Sequence, residues 1–344
     1  MAVGASIVVE KIEQPYDGSS KSTLVTDNEF RVLLEDGALA AADANHAVGL
    51  PPWFDWDKFR RGQQYFRKNY FALFVSKLCG LISILAIPSI VRILILTRQS
   101  SEPVAAFRRY VVTLTHMLDW YDGDLLEPTS RAHRSLMSVR LRHCTAARKA
   151  RKVGLTPISQ LDMVLTQFGF MGFGLLAPEK LGLSGTKEDL EGYVHFWRTV
   201  GHLLGIEDRF NLCKGSLEET KKLCGTVLEQ VFVPALKKPA EGFEEMSRAL
   251  MDGMWAMSPF LHYDAFMGFT MRLAGVEKSK EVAKTAYGRG LLSYQIFVHE
   301  VLLGSWVTAW FARPIHNFLM WFSVFMTQRL PLLAYLRFGR SQIY

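Results

Sequence analysis

The chain has 344 residues, of which 49% are hydrophobic, and it is long enough to bury a sizeable core. Its net charge of +7 favours anionic partners, but the basic residues are scattered and form no zinc-finger, basic-zipper or RNP pattern, so a nucleic acid partner is not expected. The four cysteines are too widely spaced for a CxxC metal pair or a disulfide framework, and we expect reduced thiols facing the cytosol.

The N-terminal residues lack the pattern of a secretory signal. The segment MAVGASIVVEKIEQPYDG has neither a basic start nor a long apolar stretch. We therefore expect residues 1–48 to be a loosely ordered lead-in and residues 49–300 to form one folded helical domain.

Apolar residues with helical spacing dominate the body of the chain. Residues 78–91, LCGLISILAIPSIV, are uncharged but fall short of the roughly 20 residues that span a bilayer, so a buried core helix is expected. Helical periodicity continues over 103–120 and 130–152, on either side of the turn-prone YDGDLLEPTS. Ser159, and Thr186 with Asp189 three residues later, are typical of helix starts. Because alternating Val, Ile and Thr are scarce, the sequence predicts an all-α fold.

The last segment, residues 301–344, is strongly apolar. A single span over 301–327 would place Arg313 near its middle, at a cost of about 2.5–3.5 kcal/mol. We therefore expect a pair of short helices, broken at Arg313-Pro314 and at Arg329, that cover the core or lie in a membrane interface. Its tryptophans, with flanking arginines, are typical of a membrane-surface anchor.

Two helical segments carry the candidate site residues. Arg109 and Thr113 are four residues apart in AFRRYVVTLTHML, so they share one helix face, although a lone Thr often bonds its own backbone. His143 lies in SVRLRHCTAARKAR among small alanines, which leave a trough for a flat ligand such as a macrocycle. Arg140 and the neighbouring basic residues either pair with carboxylates, such as propionates, or form a solvated face.

Other chemistries have weaker support. His195 and His202 would share a helix face, but two histidines without a matching carboxylate are a poor non-haem metal site. His299-Glu300 lacks the second His of an HExxH motif. The GxSxG elbow of hydrolases and the glycine-rich loops of nucleotide-binding proteins are also missing.

Together, the two helical segments resemble the catalytic domain shared by mpaB-type ER-bound oxygenases and rubber oxygenases of the latex-clearing type. In that family an R-x-x-x-T helix precedes a VRLxHAxxR-like helix whose His is the proximal ligand of a b-type haem. The second motif reads VRLRHCTAAR here, and PISQLDMVLT and HFWRTVGHLLGIEDRF extend the resemblance over about residues 51–212. The resemblance implies that His143 binds the iron, that Arg109 and Thr113 are catalytic residues that also hold the haem, and that Arg140 contacts it.

The resemblance further implies an all-α fold with a globin-like helical core, extra helices and an apolar helical tail. The implied function is a haem b-dependent oxygenase that acts with O2 on an apolar, lipid- or isoprenoid-like substrate. The implied location is the endoplasmic reticulum membrane surface, facing the cytosol. Rubber oxygenases carry Lys where this chain has Val112, and their upstream glutamate has no counterpart here. The alternatives are a non-catalytic haem- or lipid-binding protein at a membrane, a purely structural peripheral membrane protein, and a cytoplasmic location.

Overall fold

A computed structural model describes residues 21–42, 49–97, 100–276 and 282–343, with side chains from residue 26 onward. Within these ranges the chain is helical, and the only β pairing is one isolated antiparallel bridge between Ala41 and Ser159. The all-α prediction is confirmed. The helices are α1 Lys21–Leu39, α2 Trp56–Lys68, α3 Tyr70–Leu85, α4 Pro88–Thr97, α5 Pro103–Asp122, α6 Arg131–Lys152, α7 Gln160–Leu176, α8 Lys187–Leu204, α9 Leu217–Val227, α10 Val233–Lys237, α11 Phe243–Met254, α12 Tyr263–Leu273, α13 Ala286–Ile296, α14 Trp306–Arg329 and α15 Leu332–Phe338. Two π-helical turns, Leu228–Phe232 and Phe297–Leu302, continue α9 and α13.

Helix α3 confirms the buried core helix predicted for the apolar run over residues 78–85, whereas the end of that run, from Pro88 onward, begins α4. From Ala72 to Leu85 all residues of α3 are buried, and the helix packs along α7. The two helices touch at Gly80 and Gly169, where a Cβ on Gly80 would overlap the Gly169 carbonyl. Within the described ranges, no single helix is long and apolar enough to cross a membrane, whereas α2 and α3 together, bent by 94°, meet that criterion by length and composition.

The prediction of a loosely ordered lead-in over 1–48 is wrong for residues 21–39, which form α1. This helix packs on α7 and α9, and it buries Phe30 and Leu33 in the main hydrophobic core. Glu29 adds an ion pair with Lys214 at 3.0 Å. Residues 1–20 and 43–48 lie outside the described part of the chain.

The helix break predicted at Arg313-Pro314 is also wrong, because α14 continues through Pro314 to Arg329. A proline inside a helix removes one backbone hydrogen bond and strains the preceding turn. Next to it, Arg313 donates to Asn69 Oδ1 at 2.7 Å, to Gly182 O at 3.0 Å and to Leu303 O at 3.0 Å. These bonds hold α14 against the rest of the fold at the site of the proline. The predicted end at Arg329 is confirmed.

The helix starts predicted at Ser159 and Thr186 are confirmed. Ser159 accepts from the backbone N–H of Asp162, whose carboxylate accepts from Ser159 in return. Thr186 and Asp189 form the same reciprocal capping box at the start of α8. These caps determine where the two helices begin.

Lys77 on α3 has an unusual place in the core, because its side chain is fully buried. Its Nζ lies 4.7 Å from the ring centre of Phe66 and 5.3 Å from that of Tyr121, and it is 3.5 Å from Leu73 O. Among the described residues no carboxylate forms an ion pair with it. Burial therefore lowers the pKa of Lys77 well below its ordinary value.

We expect Lys77→Met to stabilise the protein at neutral pH, because a flexible apolar side chain of similar volume replaces an amine whose charged form is disfavoured by burial. Between the lowered pKa of the folded state and about 10.4, the unfolded wild type binds more protons than the folded one. Wild-type stability should thus rise with pH, and the advantage of the variant should shrink.

Denaturant unfolding at pH 7 and pH 9.5 measures this effect, with the exposed Lys68→Met as the matched control. A methionine variant less stable than the wild type at both pH values would instead indicate that the rings of Phe66 and Tyr121 stabilise a charged Lys77 amine.

Candidate functional site

A cavity of about 650 Å³ lies between α3, α4, α5, α6, α7 and α8. Its size falls within the range of about 300–1,000 Å³ that is usual for ligand sites. Most of its wall is apolar, with side chains such as Leu81, Ile84, Phe170 and Leu204. The residues with polar or charged side-chain groups in its lining are Thr97, Arg109, Tyr110, Thr113, His116, Trp120, Arg142, His143, Thr145, Lys149, Asp162, Thr166, Gln167 and Trp197.

Helix α5 brings Arg109 and Thr113 to the cavity on one face, as predicted from their spacing. Arg109 donates from Nη1 to Thr97 Oγ1 at 3.3 Å. Thr113 donates its hydroxyl proton to the backbone carbonyl of Arg109 at 3.0 Å. Thr113 therefore bonds its own helix backbone through its hydroxyl proton, as a lone Thr often does. Its hydroxyl oxygen can still accept a hydrogen bond from a ligand.

Helix α6 begins at the N-cap Ser130 and brings His143 to the same cavity. The Nδ1 atom of His143 is buried and has no hydrogen-bond partner in the described structure. Burial, together with the positive charge of Arg109, lowers the pKa of His143 to about 4. The imidazole is therefore neutral near pH 7, which is the form that binds a metal. Ala146 lines the cavity one turn along, in agreement with the predicted trough.

Arg140 does not line the cavity, so the prediction that it contacts the cofactor is not supported by its position. Its side chain is buried, and Nη1 donates to Leu203 O at 3.1 Å, near the C-terminal end of α8. This bond lets the guanidinium group interact favourably with the negative end of that helix. The residue thus ties α6 to α8 behind the cavity wall.

Sequence reasoning missed His116, a second histidine in the cavity wall. It lies seven residues after Arg109, so continuing the helical period by one more turn would have found it. Its Nδ1 is 2.7 Å from Ser135 Oγ, and its Nε2 is buried without a partner in the described structure. Trp120, one turn further, also lines the cavity, and its indole N–H is likewise buried and unpartnered.

Asp162 is the one carboxylate among the described residues of the lining, and both of its oxygens accept hydrogen bonds. Oδ1 accepts from Ser89 Oγ at 2.6 Å, and Oδ2 accepts from the backbone N–H and hydroxyl of Ser159, each at 2.9 Å. The carboxylate therefore serves to cap α7 and offers no free base to the cavity.

The histidines proposed for a non-haem metal have structural roles. His195 and His202 contact the ring of Trp53 at 5.8 and 5.7 Å between ring centres, and His195 Nε2 accepts from the backbone N–H of Asp55. His299 is buried, and its Nδ1 lies 3.0 Å from Leu181 O. No three His, Cys, Asp or Glu side chains within the described ranges are grouped as metal ligands.

The residues of the cavity fit a b-type haem. A haem iron would need only one neutral imidazole from the protein, because the porphyrin nitrogens would supply its remaining protein-independent ligands. His143 provides such an imidazole, with a buried ring nitrogen that lacks a partner. The apolar walls suit the flat macrocycle, and Arg109 and Arg142 offer positive charge for its propionates.

Comparison with known proteins agrees with the resemblance seen in the sequence. The solved structure of latex clearing protein LCP in the closed state superposes with a TM-score of 0.56 at 16% identity, over 88% of this chain and 87% of that chain, and it supports a shared fold. The rubber oxygenase of Streptomyces sp. (strain K30) is 24% identical over 223 residues, or 60% of this chain. The match spans about half of that relative, 51% of its length.

The family model described as "ER-bound oxygenase mpaB/B'/Rubber oxygenase, catalytic domain" matches residues 64–329. The match runs from α2 to the end of α14 and includes the whole wall of the cavity. The chain therefore belongs to the family of ER-bound oxygenase mpaB/B' and rubber oxygenase catalytic domains.

Proposed function

We propose that the protein is a haem b-dependent oxygenase that uses O2 to oxidise an apolar, lipid- or isoprenoid-like molecule. The observation that carries the proposal is the position of His143, a neutral imidazole with an unpartnered ring nitrogen, in the wall of a largely apolar cavity. Membership of an oxygenase family supports the reaction class.

In this proposal each part of the cavity has a defined task. His143 holds the haem iron, and when bound the haem supplies the binding and activation of O2. Arg109 and Thr113 line the cavity from α5 and position the haem and its ligands, Arg109 through its charge and Thr113 through its acceptor oxygen. The apolar walls exclude water and receive the apolar substrate.

Polyisoprene is not the substrate that we favour. Val112 lines the cavity directly before Thr113, where rubber oxygenases carry a lysine, so the amine is replaced by a small apolar side chain. A smaller isoprenoid- or lipid-like molecule suits this wall better.

A second candidate function is non-catalytic haem or lipid binding. One observation favours it: Asp162, the one acidic group in the described lining, has both oxygens engaged in hydrogen bonds. A reaction that needs a carboxylate base would have no free one in this cavity. Oxygen consumption by the haem-loaded protein with unsaturated lipids distinguishes turnover from binding alone.

We also propose that the protein rests on the cytosolic face of the endoplasmic reticulum membrane. The apolar face of α14 and α15 supports this, because Trp306, Trp310 and Leu336 are 87%, 76% and 83% exposed. Exposed apolar surface of this extent marks an interaction site, and aromatic residues with nearby basic ones suit a lipid interface. Arg329 and Arg337 provide the basic residues at the ends of the two helices.

The first prediction concerns the iron ligand. We expect the purified protein, supplied with haem, to show a Soret band, and His143→Gly to lose it because the imidazole that would hold the iron is removed. Added free imidazole should restore the band in the variant by filling the vacated space. The control is His202→Gly, since His202 packs on Trp53 rather than in the cavity. A variant that retained the full Soret band without imidazole would exclude His143 as the ligand.

The second prediction concerns pH. Because burial lowers the pKa of His143 to about 4, the imidazole stays neutral down to pH 5 and haem affinity should change less than about twofold between pH 7 and pH 5. A histidine of ordinary pKa, about 6.5, would lose roughly 25-fold in affinity over this interval through protonation. Haem titrations at each pH, with circular dichroism to confirm that the protein stays folded, measure the difference; a loss of roughly 25-fold would contradict the proposed environment.

The third prediction concerns the membrane. Replacing Trp306 and Trp310 together by Ser should weaken binding to vesicles of phosphatidylcholine and phosphatidylinositol by about tenfold or more, because burying each such side chain contributes about 1.5–3 kcal/mol. Phe260→Ser is the control, since Phe260 is 64% exposed but lies outside α14 and α15. Vesicle flotation gives the bound fraction, and equal flotation of all three proteins would argue against an anchor at this face.

A further inference from the structure

The cavity carries more positive charge than the fold itself neutralises. Arg109, Arg142 and Lys149 line it, against the single carboxylate of Asp162. The Nζ of Lys149 donates a hydrogen bond to Leu96 O at 3.2 Å. The carboxylate of Asp162 caps α7 and accepts a hydrogen bond from Ser89. Arg109 donates one hydrogen bond, to the neutral hydroxyl of Thr97, and in the described part of the chain neither Arg109 nor Arg142 forms an ion pair with a carboxylate.

Arg109 and Arg142 line the cavity from two neighbouring helices, near enough for the charge of Arg142 to act on Arg109. Arg109 comes from α5 and Arg142 from α6, next to His143. Burial lowers the pKa of Arg109, and the positive charge of Arg142 lowers it further. The pKa of His116 in the same wall is lowered, first by burial and next by the positive charge of Arg142. Two like charges brought together beside an apolar cavity repel each other, unless a ligand places an anion between them.

The geometry points to a carboxylate-binding subsite formed by Arg109 and Arg142, which takes the anionic group of a ligand whose remaining body is apolar. A guanidinium group binds a carboxylate through two parallel hydrogen bonds, so a pair of them suits one or two such groups. The apolar walls around the pair receive the rest of the ligand. Arg142 is the new element, since the resemblance assigns no role to its position.

Two ligands have this chemistry. The propionates of haem are one source, and this form of the inference rests on the proposed function. A long-chain carboxylic acid that enters as substrate is the other. Both predict that the charged carboxylate, rather than the apolar body, depends on Arg142.

The first arm of the test uses haem and haem dimethyl ester, which differ only in the charge of the two propionates. Each is titrated into the wild type, Arg142→Gln and the control Arg148→Gln, with the Soret band as the readout. Arg148 is exposed on the same helix and does not line the cavity. We expect Arg142→Gln to weaken haem binding by about tenfold or more, the usual effect of losing a hydrogen bond to a charged group, and to leave ester binding unchanged.

The second arm uses palmitate and palmityl alcohol with the haem-free protein, and the shift in melting temperature is the readout. A shift with palmitate that is lost in Arg142→Gln and absent with the alcohol assigns the subsite to a substrate carboxylate. Loss confined to haem assigns it to the propionates. Because Arg142 is exposed at the surface of α6, its variant should fold, and its melting temperature without ligand verifies this.

The outcomes separate this inference from the proposed function. If the wild type binds haem but neither Arg142→Gln nor esterification weakens binding, and palmitate gives no Arg142-dependent shift, the subsite is refuted and the haem proposal stands. If no Soret band forms, haem binding fails, while an Arg142-dependent palmitate shift would still support the subsite. Binding of neither haem nor palmitate by the wild type would overturn the subsite as well.

Discussion

The position of one imidazole, that of His143, whose Nδ1 is buried in the cavity wall, is the constraint on which the functional interpretation depends. A buried nitrogen without a hydrogen-bond partner costs about 1–3 kcal/mol, and folded proteins keep few such groups. The cost is understandable if a ligand completes the site. Burial also holds the imidazole neutral, because a charged ring would have to give up its hydration beside the positive charge of Arg109. The same environment thus leaves Nδ1 without a hydrogen-bond partner in the described structure and keeps the ring in the neutral form that binds a metal.

The helices around the cavity contact one another at defined points beside it. The close contact of Gly80 with Gly169 fixes α3 against α7 on one side. On the other side, Arg140 ties α6 to the end of α8, and the contact between Ser135 and His116 links α6 to α5. Apart from the ring of His116, which itself lines the cavity, the residues of these contacts lie behind the wall. The polar groups that do reach the cavity come mainly from α5 and α6.

The C-terminal helix combines two roles. The guanidinium group of Arg313 donates hydrogen bonds to the Asn69 side chain and to the backbone carbonyls of Gly182 and Leu303. These bonds anchor α14 to the body of the protein. The face that carries Trp306 and Trp310 has no such partners within the described structure and remains exposed. Arg313, whose charge disfavours insertion of this segment across a membrane, is therefore the residue that binds α14 to the fold. The exposed apolar residues of α14 can then contact another surface.

Local sequence determined the helices, their caps at Ser159 and Thr186, and the shared face of Arg109 and Thr113, because a period of 3.6 residues and a capping box act within a few positions. The motif around His143 indicated the family, because its residues lie next to one another in the sequence and can be compared directly. Only the tertiary structure decided that Arg140 turns to Leu203, that α14 continues through Pro314, that α1 packs on the core and that Asp162 also accepts a hydrogen bond from Ser89. Each of these depends on a partner tens to hundreds of positions away, and a partner at that distance is chosen by packing, which no local pattern records.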